Sequence, residues 1–140
     1  MKNYTSYDLI EWGKPFEKSQ HALPEPTLSE VLIRVTAAGL CHSDLHVQKG
    51  YMDLGEEGRL TFAERGAQLP MTFGHEIAGI VEAIGDKVKN VSIGQQVLVF
   101  PWIGCGDCLA CNEDRESDCS AMRIIAVSYT HLRAHETVHY

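Results

Sequence analysis

Apolar positions fall along this chain in short runs broken by glycine and polar turns, and the spacing is that of strands rather than helices. From Ser29 the run Glu30-Val31-Leu32-Ile33-Arg34-Val35-Thr36-Ala37 puts Val31, Ile33 and Val35 on one face and Glu30 and Arg34 on the other, the clearest strand in the sequence. Ahead of it, Tyr4 to Trp12 reads as a strand, Gly13-Lys14-Pro15 as a turn, and Phe16 to Leu23 as the returning partner. Leu23-Pro24-Glu25-Pro26 is an extended connector, because proline lacks a donor and restricts the residue before it. After Tyr51-Met52-Asp53-Leu54-Gly55 a polar stretch runs to Gln68, with a short helix expected at Thr61 to Arg65. Ile77 to Gly85 is a long β-like run whose glycines predict a bulge or a close backbone approach. Val88, Val91 and Ile93 are expected to continue it past a polar turn at Gly85-Asp86-Lys87, and Gln96 to Pro101 is a further strand. Short strands with glycine turns and little helix predict a mainly β fold, a barrel or sandwich.

Length and charge narrow the class. The 140 residues amount to one domain, with 44% hydrophobic and 22% charged residues, as in an ordinary globular protein. Nineteen acidic against twelve basic residues give a net charge of -7, and no Lys/Arg run interrupts it, which argues against nucleic acid and anionic membranes as partners. No apolar run approaches a bilayer span and the first residues do not open a signal peptide, so a cytoplasmic location is expected.

The chemistry concentrates in three places. Four of five cysteines form the pattern C-x2-C-x2-C-x7-C at Cys105, Cys108, Cys111 and Cys119, with Gly104, Gly106 and Asp107 supplying turns. Four thiolates on one short loop suit a closed tetrahedral site, and zinc is its usual occupant. A pair of disulfides is a poorer fit, given the odd cysteine count and the expected reducing compartment. An iron-sulfur cluster is a sharper rival, but the ferredoxin run places its fourth cysteine after three residues and before proline, not after seven and before Ser120. A closed zinc site of this kind folds a loop and does no chemistry.

The other two places are Cys41-His42-Ser43-Asp44-Leu45-His46, after the best strand, and Gly74-His75-Glu76, before the next. Cys41 alone reads as a small buried hydrophobe and His75 as a core histidine, but their company points further. Glu76 is a second potential ligand beside His75, Asp44 is placed to orient a ligating imidazole, and Ser43 with His46 would suit a proton relay. Ser43 is equally suited to capping the helical turn that follows.

Taken in order with Gly79, Gly85 and Val88 and the four-cysteine lobe, these motifs resemble the zinc-dependent alcohol dehydrogenases of the medium-chain dehydrogenase superfamily, from about Tyr4 to Cys119. The resemblance implies the amino-terminal catalytic domain, a GroES-like partly open β-barrel with a structural zinc lobe. It implies Cys41 and His75 as ligands of a catalytic zinc, with Glu76 able to enter the shell. It further implies Ser43 as acceptor of the alcohol's proton, His46 as the next member of the relay, and Asp44 as the partner of His75. His42 would meet the pyrophosphate of NAD or NADP. The substrate implied is a small alcohol or aldehyde, and the full-length protein is expected to be a homo-oligomer. Two departures stand out: Gly94-Gln95-Gln96-Val97 replaces the usual Gly-Asp-Arg-Val, and the segment between His46 and Gly74 is longer than in many members.

Some family features are missing. The third ligand of the catalytic zinc and the dinucleotide-binding Rossmann domain would lie downstream, and the single G-x-G, Gly104-Cys105-Gly106, sits in the metal loop. After Ile125, Val127 to Thr137 resembles a translated sequencing adapter. The expected organisation is therefore an incomplete catalytic domain at 1–125 and a non-native tail at 126–140, with His131, His135 and His139 not counted as ligands and the chain alone inactive. Two other readings are a small zinc or iron-sulfur module built on the four cysteines, and a GroES-like domain without a catalytic zinc.

Overall fold

The computed structural model describes residues 3–125 together with 134–135. Strand β1 (Asn3–Leu9) pairs antiparallel with β2 (Glu17–Ala22), as the flanking turn residues predict. Strand β3 (Glu30–Gly39) leads to helix α1 (His42–Lys49), which a left-handed Gly50 terminates. A small hairpin, β4 (Tyr51–Asp53) with β5 (Arg59–Thr61), is followed by β6 (Met71–Thr72) and the long β7 (Glu76–Ile84). Then come β8 (Gln96–Val99), β9 (Trp102–Ile103), the single turn α2 (Leu109–Asn112), β10 (Arg123–Ile124) and β11 (Ala134–His135).

The sheets run in the orders β2-β1-β6, β11-β3-β7-β8, β10-β9 and β4-β5. They leave the barrel open, and no parallel βαβ unit occurs among the described residues. One core cluster joins Val31, Val81, Val88, Val91 and Val97, and a second joins Ile77, Ile103 and Ile125. The close approach expected in β7 is at Gly79, where a Cβ would lie 2.7 Å from the Arg34 carbonyl oxygen. The β3/β7 register shifts between Leu32 and Ile33 and again between Val35 and Ala37.

One expectation is corrected. Val31 is buried and Ile33 packs on the core, but Val35, in unbroken register with Ile33, is 45% exposed: it pairs with Gly79, which offers no side chain to pack against, and lies beyond the core cluster. Thr61 to Arg65 is a turn and not a helix: the Phe62 carbonyl accepts from both Arg65 and Ala67, and the span between Gly58 and Gly66 is too short to sustain a nucleus. Val88 and Val91 reach the core from loops, while Ile93, expected alongside them, is 65% exposed. The polar stretch after Gly50 folds as the β4–β5 hairpin, held by Arg59 over the Tyr51 ring at 4.3 Å.

Most of the tail at 126–140 lies outside the described residues. The exception is β11, whose Ala134 pairs with Val31 and His135 with Glu30. Ladder pairing of this kind uses only backbone groups, so an open strand edge accepts it whatever the side chains.

Candidate metal centres

The first centre is local. The loop from β9 through α2 brings Cys105, Cys108, Cys111 and Cys119 together, with one sulfur from each lying within 4.8 Å of the others. Cys108 and Cys111 sulfurs are 3.5 Å apart, and those of Cys105 and Cys111 are 4.0 Å apart. All the cysteines are free thiols, which disposes of the disulfide alternative. Bonds of about 2.3 Å to a tetrahedral zinc put sulfurs about 3.8 Å apart, so the spacing suits a metal. Gly104 is required here by space, because a Cβ would press on the Cys111 sulfur and lie 2.9 Å from Glu116. The backbone N–H groups of Asp107 and Cys108 lower the Cys105 thiol to about 7. Although the Gly106 N–H favours its thiolate, Cys111 is pushed up to about 12 by desolvation and by the thiols of Cys108, Cys119 and Cys105. Four thiolates cannot coexist at this distance without a cation, and the donor set fits one of soft preference.

The second centre is assembled from distant parts of the chain. Cys41 caps α1 in an extended conformation, and His75 with Glu76 stands at the start of β7. The Cys41 sulfur, a His75 ring nitrogen and a Glu76 carboxylate oxygen lie within 4.8 Å of one another. Asp44 joins the halves: one oxygen accepts from the Cys41 N–H at 3.0 Å, and the other is 3.2 Å from His75 Nδ1. Asp44 is only 7% exposed, so this bridge is sheltered from competing water. His75 is thereby held with Nε2 turned to the site, where it meets the Ser43 hydroxyl at 3.2 Å. Thiolate, imidazole and carboxylate are the donors of an open zinc site with room for one more ligand.

The other anticipated residues are placed less tightly. The cap is Cys41, with Asp44 completing its capping box, and Ser43 lies inside the first turn. His42 is exposed, and its ring meets that of His46 edge-on at 4.6 Å. Among the described residues no hydrogen bond joins Ser43 to His46, so the relay's second leg is not formed directly.

A cavity of about 790 Å³ opens beside Cys41, Ser43, Asp44, His75 and Glu76. Its wall is largely apolar, with Met52, Phe62, Phe73, Leu98 and Trp102 prominent. Met52 and Phe62 come from the segment that the sequence pattern leaves as polar loop, where single apolar residues carry no periodic signal.

The profile described as the alcohol dehydrogenase GroES-like domain matches residues 27–138. A match of that extent goes far beyond the cysteine loop, which sets aside a small module built on the loop alone. Over 122 residues the chain is 42% identical to an NAD-dependent alcohol dehydrogenase of Sulfurisphaera tokodaii, covering 86% of this chain and 34% of that protein. Among solved structures, the alcohol dehydrogenase of Aeropyrum pernix superposes with a TM-score of 0.74 at 26% identity, over 89% of this chain and 34% of that one. A zinc-binding dehydrogenase of Sinorhizobium meliloti bound to NADP gives 0.70 at 27% identity, over 91% and 33%. The chain thus spans about one third of the length of the relatives it matches. Motif order, fold and profile agree, and the chain belongs to the alcohol dehydrogenase GroES-like domain family.

Proposed function

We propose that this chain is the amino-terminal catalytic part of a zinc-dependent, NAD- or NADP-linked alcohol dehydrogenase that interconverts a small alcohol and its aldehyde by hydride transfer. The observation that carries the reading is the convergence of Cys41, His75 and Glu76 at the edge of an apolar cavity. Those three residues would hold the catalytic zinc, and the four cysteines of the lobe a structural one. Bound there, zinc supplies a Lewis acid that lowers the pKa of a hydroxyl at the open position.

The chain's own residues do the rest. Asp44 fixes the imidazole of His75 and, through the Cys41 N–H, the approach of the thiolate. The Ser43 hydroxyl, beside His75, accepts the alcohol's proton as it hands on its own. Passing that proton to His46 needs a bridging water, since the two side chains are not joined. His42, exposed on the first turn of α1, offers a donor to the cofactor's pyrophosphate. Met52, Phe62, Phe73 and Trp102 exclude water from the reacting carbon and suit an apolar alcohol better than a polyol, whose extra hydroxyls would find few partners. The described residues hold no dinucleotide-binding unit, and we expect no turnover from the chain alone.

Metal analysis tests this directly. The chain should bind two zinc ions and be colourless, and His75→Asn should retain one. A brown protein, or one zinc with or without the substitution, would sink the assignment. In a protein completed with a nucleotide-binding domain, Ser43→Ala should lower turnover by about 10²–10⁴-fold with the metal retained.

A further inference from the structure

The β1–β2 hairpin precedes the residues that the family profile matches, yet it touches both α1 and the segment that leads into His75. On the His75 side it grips three successive residues. Met71 pairs with Leu9, and both side chains are fully buried. The Thr72 hydroxyl donates to Asp8 Oδ1 at 2.7 Å. The Phe73 ring meets Phe16 at 4.7 Å. On the α1 side, the Gly13 N–H donates to the Gln48 carbonyl at 2.7 Å, and Gln48 Nε2 donates to the Lys14 carbonyl at 2.8 Å. Trp12 packs against Gly50, where an added Cβ would lie 3.1 Å from the indole.

Asp8 is the unusual member. It is 4% exposed, and its second oxygen accepts from Ser6 Oγ at 3.0 Å and faces His21 Nε2 at 3.4 Å. Burying a carboxylate costs several kcal/mol before its partners repay it, and an apolar residue would cement the hairpin without that cost. What the carboxylate adds is direction. Strand β6 has only two ladder partners, Asp8 and Leu9, so backbone pairing specifies its register weakly. A slip by one residue would turn Met71 out of the core and carry His75 away from Asp44. A hydroxyl that must reach one carboxylate oxygen forbids the slip.

We propose that Asp8 and Thr72 are positioning residues for the Cys41, His75 and Glu76 centre, pinning the register of β6, from which the chain runs through Phe73 and Gly74 to His75. The proposal rests on the reading that this centre binds a metal. Its test is cobalt titration of the whole chain, with absorption separating a one-thiolate from a four-thiolate site. Thr72→Val should weaken cobalt at the one-thiolate centre by about ten-fold, within the range seen when a ligand's support is removed, and leave the lobe unchanged. Thr72→Ser should restore it, and Thr72→Ala serves if the valine variant does not fold. In the metal-free chain the nitrogen signals of His75 should show Nδ1–H held by Asp44, and Thr72→Val should lose that signature. Equal cobalt affinity in Thr72→Val, equal weakening of both centres, or failure of serine to rescue would overturn the proposal. If the unaltered chain binds no cobalt at Cys41, the functional reading falls on its own. An unchanged His75 spectrum in Thr72→Val then decides against the positioning role, and a changed one for it.

Discussion

The lobe draws its four sulfurs from one loop between residues 105 and 119, whereas the Cys41 centre draws its donors from the cap of a helix and the start of a strand. In the lobe the chain between the cysteines is turns, one α-helical and one 3-10 turn, and little core, so on the proposed reading a bound metal would organise the loop. In the Cys41 centre the donors stand on elements already fixed by the β3/β7 sheet and the amino-terminal hairpin, with Asp44 as the bridge. On the proposed reading the contrast is between a site that its ion would fold and a site built by its scaffold. A structural ion tolerates a floppy apo loop; chemistry requires donors held in place beforehand.

The largest effect that separates them should come from Cys108→Ser. Metal-linked folding of such a lobe is worth on the order of 10 kcal/mol, so losing one thiolate should abolish tight zinc there and open the 105–119 loop to protease. Limited proteolysis with metal analysis reads this, and the Cys41 centre should be spared. An intact loop with full zinc would mean that the lobe, too, is scaffolded.

Mild chelation gives the next contrast. With three protein donors against four thiolates, the Cys41 centre should release its zinc at least about ten-fold faster than the lobe, seen as two separate phases. A single phase would erase the distinction.

Strong acid should reach the scaffold as well. Burial raises the Asp8 carboxyl, but hydrogen bonds from Thr72, Ser19, Ser6 and His21 outweigh it and hold the group below its ordinary 3.8. A lowered folded pKa means that Asp8's contribution is complete above the unfolded value and is lost as pH falls through the folded one. In the metal-free chain, therefore, stability of the hairpin should fall with pH below about 3.8, and Asp8→Asn should flatten that slope. Amide exchange across β1 and β6 measures it.

The smallest effect is expected from removing residues 126–140. The two pairs between β11 and β3 touch neither centre, so metal content should be unchanged and stability altered by no more than about 0.5 kcal/mol. A clear drop in melting temperature would show that the segment is docked in earnest and that the adapter reading of it is wrong.

The two centres also differ in how they can be read. The lobe is legible in the sequence because its ligands are near neighbours, so spacing alone encodes the geometry. Cys41 and His75 are individually ambiguous, and only the order of motifs along the chain singles them out. Strand β3 follows from period-two alternation, and β1, β2, β7 and β8 from short runs bounded by turn residues. The exposure of Val35 and Ile93 does not, because how far the core reaches along a strand or into a loop depends on what packs opposite, and Val35 faces Gly79. The β4–β5 hairpin is missed because its strands are three residues each, too short for a period to emerge.

What the sequence by itself determined is the β class, the tetrathiolate loop and the identity of the residues able to ligate or move a proton, since these depend on local spacing and side-chain type. Only the tertiary structure decided that Asp44 spans Cys41 and His75, that Ser43 faces His75 and not His46, and that Asp8 and Thr72 tie the hairpin to β6, three residues before His75. Those contacts join residues up to 64 positions apart. A side chain's partner at that separation is set by strand register and packing, which are properties of the whole fold and leave no mark on either residue's neighbours in the chain.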